Sequence, residues 1–373
     1  MQPQKISMFG LQKKAYEKKE KLLRAIAGVI DSGIFLNGTK NKQLQQHLQT
    51  YLGGGYVLPV ASGHDALVMA LSSLGCTTSD EILFPVNAYP SAFPVALNGA
   101  VPVPVDVDKD GQIDIQSVKK RFNKKVKAIL VVHLYGLMTD IEELVRFAHS
   151  HNIFLLEDVA QAFGSRFNNR LAGTFGDLSC FSFYPTKNVG ALGDGGAVWT
   201  KNKRWYALMR QASRYGESIR YKSVFVSGHS RLAEIQASAL SVYLKDFKKE
   251  QQQRKRIYAY YKSALSKRNL SKRVRLLSAH ALCDPTIHLL VVTAFKRDAL
   301  RLYLKKRGIE TLVHYPYPIH KVPAFRYLRI KSGQFPIAEK LAKQIVSLPF
   351  HPYLTKREID YIVDAITSFY KRL

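Results

Sequence analysis

Cysteines and metal-binding motifs are scarce in this sequence. The three cysteines, Cys76, Cys180 and Cys283, are far apart among 373 residues and form no C-x-x-C pair. This spacing argues against a disulfide framework and a structural zinc site, so we interpret them as reduced core residues. The 11 histidines form neither an H-x-H nor an H-E-x-x-H pattern, and we therefore expect no metal site.

Long apolar stretches are also absent. No run approaches the roughly 18 apolar residues that a membrane-spanning helix needs. The first residues, MQPQKISMFGLQKK, do not contain an apolar segment followed by small residues, which a secretory signal would have. We therefore expect a cytoplasmic protein that does not insert into a membrane.

Acidic residues are few relative to basic ones: 28 Asp and Glu stand against 56 Lys and Arg, a formal net charge of +28. Such a balance is typical of proteins that bind polyanions. The basic residues are spread over short runs without a nucleic-acid-binding signature, notably 119–127, 248–256 and 267–275. We interpret these runs as solvated faces and expect no nucleic-acid partner; an anionic small substrate or an acidic membrane surface remains open.

The chain after residue 55 alternates short apolar runs with helical patterns. With 46% apolar and 23% charged residues, its composition is that of a globular protein. Near-continuous apolar strands separated by amphipathic helices indicate a mostly parallel sheet that helices cover on both faces. The predicted strands are YVLPVA (56–61), EILFP (81–85), VPVPVDV (101–107), AILVVHLYG (128–136), IFLLE (153–157) and LSCFSFY (178–184).

The pattern changes near residue 240, within a long basic helical stretch, and the chain length favours two structural units. We predict a helical segment over 1–30 that packs on the small domain, a large α/β domain over 31–240 and a smaller α+β domain over 241–373. Two helix starts carry predicted capping boxes, one from Thr139 and Glu142 and one from Thr355 and Glu358.

Two polar residues follow predicted strands. Asp158 comes directly after IFLLE, and Lys187 comes shortly after LSCFSFY and before a glycine-rich loop. Because ligands of such sheets bind beyond the carboxyl ends of the strands, both side chains are expected at one edge. A helix cap is an equally good interpretation of Asp158 alone, and a solvated charge is the default one for Lys187. Together they suggest a cofactor that needs one acid and one amine.

Pyridoxal 5′-phosphate meets that demand. Its aldehyde condenses with a lysine, and an apposed carboxylate keeps its ring nitrogen protonated. The strand-turn-helix junction ASGHDAL (61–67), with Ser62 and Gly63, suits a phosphate group. Ser182 would add a hydroxyl to the phosphate, and Tyr89 would stack on the ring. The glycine-rich segments match neither a P-loop nor a dinucleotide-binding fingerprint.

Several longer motifs resemble one family over nearly the whole chain, the DegT/DnrJ/EryC1/StrS sugar aminotransferases. The motifs are SGHDAL (62–67), VHLYGLMTDIEEL (132–144), EDVAQAFGS (157–165), GTFGDLSCFSFYPTKNVGALGDGGAV (173–198), GHSRLAEIQASAL (228–240), HYPYPIH (314–320) and SLPFHPYLT (347–355). The resemblance implies a pyridoxal-phosphate enzyme of fold type I, with a seven-stranded, mostly parallel sheet in the large domain and a smaller C-terminal α+β domain. The cofactor would alternate with pyridoxamine 5′-phosphate.

The same resemblance implies roles for individual residues. Lys187 is implied as the Schiff-base lysine, Asp158 as the partner of the pyridinium nitrogen and Gln161 as a neighbour of the phenolic oxygen. The residues implied at the phosphate are Ser182, Gly63 and His64. His64 stands where the family usually has threonine, and a histidine can still donate a hydrogen bond.

The resemblance also implies a homodimer whose active sites are shared across the interface. The partner chain would supply His229 to the phosphate, where asparagine is usual, and Arg220 to the substrate site, where lysine is usual. The arginine keeps the charge but changes its geometry. The remaining residues implied at the sugar and diphosphate are Tyr184, His314, Tyr315 and His320. Ala233 replaces an aspartate whose role we do not assign.

The motifs VHLYG, SFYPTKN and HYP-x-P-x-H look most like those of members that aminate the 3-keto carbon of nucleotide-linked 6-deoxyhexoses, usually dTDP-sugars, with glutamate as amino donor. The resemblance thus implies a 3-amino sugar for a glycan such as O-antigen or for a secondary metabolite. The alternatives are a 4-keto aminotransferase of the same family and, from another class, a non-catalytic regulator or polyanion-binding protein. Lys187 argues against a sugar dehydratase, which has histidine there.

Overall fold

The computed structural model describes residues 5–373 of the chain. Its strands are β1 (Tyr56–Val60), β2 (Glu81–Pro85), β3 (Val101–Val105), β4 (Val126–Val132), β5 (Phe154–Asp158), β6 (Arg166–Phe167), β7 (Arg170–Leu171), β8 (Leu178–Ser182), β9 (Gly196–Thr200), β10 (Glu217–Ile219), β11 (Lys222–Ser223), β12 (Val274–Leu276), β13 (Cys283–Asp284), β14 (Leu290–Ala294) and β15 (Ile345–Leu348).

The α-helices are α1 (Leu11–Ser32), α2 (Thr39–Tyr51), α3 (Gly63–Ser73), α4 (Ala92–Leu97), α5 (Ile115–Arg121), α6 (Ile141–Ser150), α7 (Lys203–Ala212), α8 (Glu234–Lys267), α9 (Arg297–Lys305), α10 (Pro336–Gln344) and α11 (Lys356–Lys371). Short 3-10 helices span Tyr89–Ser91, Leu134–Gly136, Ile319–Lys321 and Pro323–Leu328.

Seven strands form the central sheet, in the order β1-β9-β8-β5-β4-β2-β3. Neighbours from β3 to β8 run parallel, and β9 is antiparallel to both of its neighbours. Helices connect the parallel strands, α5 between β3 and β4 and α6 between β4 and β5. The sheet is therefore mixed and mostly parallel, which confirms the predicted α/β fold class.

Side chains of the central strands fill a core on each face of the sheet. On β2, Ile82 and Phe84 join a buried cluster with α3 and α4, whereas Leu83 joins an opposite cluster with α2, α6 and α8. All three side chains are fully buried. Because both faces are covered, these strands have continuous apolar sequences instead of alternating ones.

A second sheet, of β12, β14 and β15, lies in the C-terminal part of the chain and is antiparallel. Its core contains Leu290 and Val292 of β14 with apolar side chains from α8, α9 and α11. Helix α8 runs unbroken from Glu234 to Lys267. The two parts of the chain therefore share one helix at residue 240, where the sequence pattern predicts a change of domain.

The first described residues contact the C-terminal part of the chain. Ile6 forms a parallel bridge with Ile309. Helix α1 then packs along α8, where Leu22 joins a small buried cluster with Tyr243. Residues 1–4 of the predicted N-terminal segment lie outside the described residues.

The two predicted capping boxes have different outcomes. The prediction for Thr139 and Glu142 is wrong, because Asp140 is the N-cap of α6 and its carboxylate accepts a backbone N–H at 3.0 Å. Aspartate caps a helix at least as well as threonine. The box of Thr355 and Glu358 is confirmed: each side chain accepts the other residue's backbone N–H, at 3.2 and 2.8 Å.

None of the helices within residues 5–373 combines the length and apolarity that crossing a bilayer would take. The three cysteines are unpaired; Cys180 is buried, and Cys76 and Cys283 are half-buried. In the same residues, no group of three or more His, Cys, Asp or Glu side chains is placed to hold a metal ion.

Candidate active site

A cavity of about 160 Å³ lies at the carboxyl edge of the central sheet. Strands β5 and β8 are parallel neighbours there and end at Asp158 and Ser182. The cavity is lined by Gly63, His64, Leu67, Ala88, Pro90, Ser91, Val132, Leu134, Asp158, Ala160, Gln161, Ser182, Lys187 and Tyr315. It therefore brings together most of the residues that the sequence predicts around a cofactor.

Asp158 lines this cavity from the last position of β5, and only 6% of its surface is exposed. One carboxylate oxygen accepts the Ser91 hydroxyl at 2.8 Å, and the other accepts the Ala160 N–H at 3.0 Å. Turns, and no helix, follow the strand at residues 160–164. The helix-cap interpretation of Asp158 is therefore wrong, and the carboxylate is held at the cavity by two hydrogen bonds.

Lys187 reaches the cavity from the segment after β8. Among residues 5–373 its amine has no hydrogen-bond partner. Burial lowers the pKa of Lys187 from 10.5 to about 8, although the charge of Asp158 acts in the opposite direction. A large fraction of neutral amine is therefore present near pH 8, as a nucleophile or a general base requires.

The glycine-rich loop after Lys187 packs closely against neighbouring backbone atoms. A Cβ atom at Gly190 would lie 2.3 Å from the Pro185 carbonyl oxygen, and one at Gly196 would lie 2.3 Å from the Ser62 carbonyl oxygen. These distances are far below van der Waals contact, so only glycine fits either position. The loop can then pass close to the lysine segment and enter β9 beside the start of α3.

The start of α3 lines one corner of the cavity and is suited to an anion. Ser62 is the N-cap, and its hydroxyl accepts the Asp65 N–H at 3.0 Å. The N–H groups of Gly63 and His64 lie in the first turn, where no helical carbonyl is available to accept them. They form the partly positive end of the helix dipole. A Cβ at Gly63 would lie 2.5 Å from the Ser182 Cβ, so glycine allows the helix to start directly against β8.

Gln161 connects the cavity to a wall of aromatic residues. Its side-chain oxygen accepts the Tyr135 N–H at 2.7 Å, and its amide donates to the Tyr315 hydroxyl at 3.3 Å. Tyr135 in turn donates to the His314 carbonyl at 2.6 Å. Burial and the charge of Asp158 raise the pKa of Tyr315 to about 12, and burial lowers that of His314 to about 4. At neutral pH the phenol is protonated and the imidazole is uncharged.

Tyr89 does not line the cavity, although the sequence predicts that it stacks on a cofactor ring. Its own ring lies edge-on to Tyr315, with 5.2 Å between the centroids. The wall contains Ala88, Pro90 and Ser91 in its place. Ser91 is the residue that sequence reasoning missed, and its only signal was a hydroxyl in the irregular loop that follows β2.

Three predicted substrate residues also lie off the cavity wall. The His314 ring binds the Ser347 hydroxyl at 2.8 Å through Nδ1. Tyr184 directly follows Phe183 beyond the end of β8 and is 50% exposed. The His320 side chain is buried, and its Nε2 atom lies 3.2 Å from a Glu339 oxygen.

Arg220 and His229 belong to a different region of the surface. Arg220 lies at the turn of the β10–β11 hairpin and lines a groove of about 370 Å³ with Arg214 and Arg231. His229 is exposed and packs against Tyr215, with 5.0 Å between the ring centroids. Neither Arg220 nor His229 lines the cavity of its own chain, within the part of the chain that the structure describes.

The donor set of the cavity fits pyridoxal 5′-phosphate. Lys187 offers an amine that has no hydrogen-bond partner among the described residues, and Asp158 offers an anchored carboxylate to a protonated ring nitrogen. The helix start at Gly63 and the hydroxyl of Ser182 suit a phosphate, and a side chain at 63 would fill that corner. Gln161 adds an amide beside them.

Comparison with known proteins agrees with this chemistry. A profile of the DegT/DnrJ/EryC1/StrS aminotransferase family matches residues 16–367. The dTDP-3-amino-3,4,6-trideoxy-alpha-D-glucose transaminase of Streptomyces venezuelae is 35% identical over 97% of this chain and 95% of its own. The dTDP-3-amino-3,6-dideoxy-alpha-D-galactopyranose transaminase of Aneurinibacillus thermoaerophilus is 34% identical over 95% of this chain and 96% of its own.

A solved structure supports the same conclusion. The crystal structure of S. venezuelae DesV in complex with a ketimine intermediate matches with a TM-score of 0.95 and 34% identity, over 99% of each chain. The predicted family, fold type and enzyme class are thus confirmed. The chain belongs to the DegT/DnrJ/EryC1/StrS aminotransferase family, and its cofactor is pyridoxal 5′-phosphate.

Proposed function

We propose that the enzyme transfers the amino group of L-glutamate to the 3-keto carbon of a dTDP-linked 3-keto-6-deoxyhexose, giving a 3-amino sugar for a glycan or a secondary metabolite. The observation that carries the proposal is that Lys187 and Asp158 line one cavity beside a helix start suited to a phosphate. Two relatives named for dTDP-linked 3-amino sugars support the choice of acceptor.

Lys187 is the proposed acid and base of both half-reactions. Pyridoxal 5′-phosphate, when bound, supplies the aldehyde that takes up the amino group and the ring that delocalises the electrons. The Lys187 amine would remove the proton from the α carbon of the donor in the first half-reaction and give a proton to C3 of the sugar in the second; in each half-reaction it would exchange the matching proton with the bound cofactor. The lowered pKa of about 8 supports this role, because the amine can both accept and release a proton near neutral pH.

The other cavity residues hold the reacting groups in place. Asp158 faces the ring nitrogen, and its bonds to Ser91 and Ala160 fix the carboxylate. The Gln161 amide is proposed to donate a hydrogen bond to the phenolic oxygen of the cofactor. The residues proposed at the phosphate are Ser182, Gly63, His64 and, from the partner chain, His229.

The acceptor sugar is proposed to lie beyond the lysine, toward the aromatic wall. Tyr315 is a protonated phenol at the cavity, so it can donate a hydrogen bond to a sugar oxygen. Tyr184, His314 and His320 are proposed to surround the sugar and the diphosphate from the same side. Arg220 of the partner chain is proposed to bind the diphosphate, because a guanidinium forms paired hydrogen bonds with phosphate oxygens.

We further propose that the enzyme works as a homodimer in the cytoplasm. Tyr16, Leu23 and Ile30 recur every seven residues on α1, which puts them on one face, and they are 79%, 51% and 59% exposed. Val226, near the hairpin, is fully exposed. An exposed apolar row of this kind marks an interaction surface. A second copy of the chain would cover it and bring Arg220 to the neighbouring cavity.

The acceptor is tested by product analysis. Purified enzyme is incubated with L-glutamate and with matched 3-keto and 4-keto sugars linked to dTDP or UDP, and the products are examined by NMR. We expect amination at C3 of the dTDP-linked 6-deoxyhexose. Amination at C4 alone would replace the proposal with the 4-keto alternative, and binding of polyanions without turnover of any keto-sugar would favour the regulator.

The shared site is tested by mixing two impaired variants at nucleotide-sugar concentrations below the wild-type KM. A Lys187→Ala chain lacks the amine, and an Arg220→Ala chain lacks the proposed partner contact. If each site combines both chains, a mixed dimer contains one site with both residues intact, so mixing should restore activity well above that of either variant. No recovery after exchange of subunits, measured alongside dimer mass by light scattering, would contradict the shared site.

A further inference from the structure

A buried hydrogen-bond network lies directly behind Lys187. Asn188, the next residue, is 5% exposed, and its side-chain oxygen lies 3.1 Å from Nδ1 of His288. Its amide nitrogen donates to the Thr286 hydroxyl at 2.8 Å. Both partners are buried as well, with 4% exposure for His288 and none for Thr286. The backbone that carries the lysine is thus held from behind by two side-chain bonds.

His288 is uncharged in this network. Burial lowers its pKa well below 6.5, and the positive charges of Lys187 and Arg254 act in the same direction. With the Asn188 amide nitrogen engaged by Thr286, the Asn188 oxygen faces His288, so the proton of the neutral imidazole lies on Nδ1.

His288 also forms a backbone hydrogen bond to the segment that carries Tyr135, on the opposite side of the cavity. Its backbone N–H donates to the Tyr135 carbonyl at 2.8 Å. Tyr135 is fully buried, adopts a left-handed conformation with φ of 65°, and donates its own N–H to the Gln161 side chain at 2.7 Å. A continuous path of hydrogen bonds therefore joins the residue after Lys187 to Gln161.

Gly136 makes this path possible. A Cβ atom at this position would lie 2.7 Å from the His288 backbone nitrogen and 3.0 Å from the Gln161 carbonyl oxygen. Its φ of 87° is also a conformation that side chains disfavour. The two backbones approach this closely only because the residue between them has no side chain, so the network is built into the local fold.

We propose that His288 and Asn188 are positioning residues that fix the Lys187 amine relative to the group held by Gln161. Neither side chain lines the cavity, so they act through the lysine backbone. Proton transfer depends on the donor–acceptor distance, and a displacement of about 1 Å can cost about 100-fold in rate. The inference rests on the role of Lys187 in the proposed function.

The test compares two substitutions of one residue. His288→Asn keeps a donor and an acceptor close to the position of Nδ1, whereas His288→Leu has a similar shape and neither group. Two properties are measured: the pH midpoint of the bound cofactor's absorbance, and the exchange of the L-glutamate α proton for deuterium in the absence of sugar. We expect His288→Leu to slow exchange by about tenfold or more and to move the midpoint by about half a unit or more. His288→Asn should retain most of the wild-type exchange rate and a midpoint close to that of the wild type.

His351 provides the matched control, because it is also a buried histidine, 2% exposed, and lies against Gly10 away from the cavity. His351→Leu should leave the midpoint and the exchange rate unchanged. Equal effects in His351→Leu and His288→Leu, or no recovery in His288→Asn, would overturn the proposal. If His288→Leu does not fold, Asn188→Ala replaces it in the same two measurements and should show the same slower exchange and shifted midpoint. Borohydride labelling of Lys187 tests the proposed function separately, since it depends on neither His288 nor Asn188.

Discussion

The cavity wall and the hairpin groove are built on different physical principles. At the cavity, Asp158 and Gln161 are almost fully buried, and both side chains have defined hydrogen-bond partners. At the groove, Arg214 and Arg220 are exposed. A chemical step needs fixed atoms, whereas binding a charged substrate from solution needs accessible charge. This difference supports the proposal that one chain holds the cofactor chemistry and leaves part of acceptor binding to exposed residues.

Of all the substitutions in these two regions, loss of Lys187 should reduce activity the most. Lys187→Ala removes the amine from the cavity, so we expect transamination to fall by about 10,000-fold, the upper range for a general acid and base. Borohydride reduction should then no longer attach the cofactor to the chain. The measurement is labelling followed by peptide mapping, together with turnover.

Lys201 supplies the control for that substitution, since it is an exposed lysine just after β9. Lys201→Ala should retain labelling and turnover. A Lys187→Ala enzyme that is still labelled at a single other lysine and still turns over would show that the wrong amine has been assigned.

Asp158→Asn should cause the second largest loss of turnover. The substitution keeps the size of the side chain but removes the charge that we propose faces the ring nitrogen, and we expect turnover to fall by about 100- to 1,000-fold. Because Ser91 can also act as a donor or acceptor, the fold should survive. Ser91→Ala, which removes only one of the two bonds to the carboxylate, should cost about tenfold. Equal losses in both variants would mean that position, and not charge, matters at Asp158.

The cavity was predictable from sequence because its residues follow strands. Asp158 and Lys187 each come shortly after an apolar run of the type found in buried parallel strands, and the carboxyl ends of such strands meet at one edge. Ser182 ends the second of these strands. Strand identity thus determines where these side chains lie, without knowledge of distant contacts.

Other features depended on geometry that local sequence does not encode. The loop with Tyr89 turns so that Ser91 faces Asp158, and tyrosine and serine are both common in such loops. Thr139 and Asp140 are both good N-caps, so the helix start could not be chosen from residue type. His288 is separated from Lys187 by about a hundred residues, and only the folded chain shows that Asn188 joins them.

The hairpin groove should respond differently to substitution. Arg220→Ala should raise the KM for the nucleotide sugar by about 10- to 100-fold, the value of a lost charged hydrogen bond to phosphate. The half-reaction with L-glutamate should stay at the wild-type rate, because that step does not involve the diphosphate. Steady-state and single-turnover kinetics separate the two effects.

Two further variants sharpen this result. Lys222→Ala, an exposed cation on the same hairpin, should change KM little if the contact is specific to Arg220. Arg220→Lys keeps the charge without the paired donors and should fall between Arg220→Ala and the wild type. A loss in the L-glutamate half-reaction of Arg220→Ala would remove the distinction between the two regions.

The smallest expected effect is a shift in pH dependence. The pKa of Lys187 is lowered from 10.5 to about 8 by burial, and Asp158 opposes that shift. Only the neutral amine attacks an aldehyde, so the rate of cofactor capture by the apoenzyme should rise with pH through a midpoint of about 8 and level off above it. For an ordinary lysine the rate would continue to rise to higher pH. In Asp158→Asn the opposing charge is lost, and the midpoint should move to lower pH by about one unit or less. Arg220→Ala should leave it unchanged. The rate of absorbance change after mixing with pyridoxal 5′-phosphate gives each midpoint, and a midpoint near 10.5 in the wild type would mean that the amine is solvated and not held in the cavity.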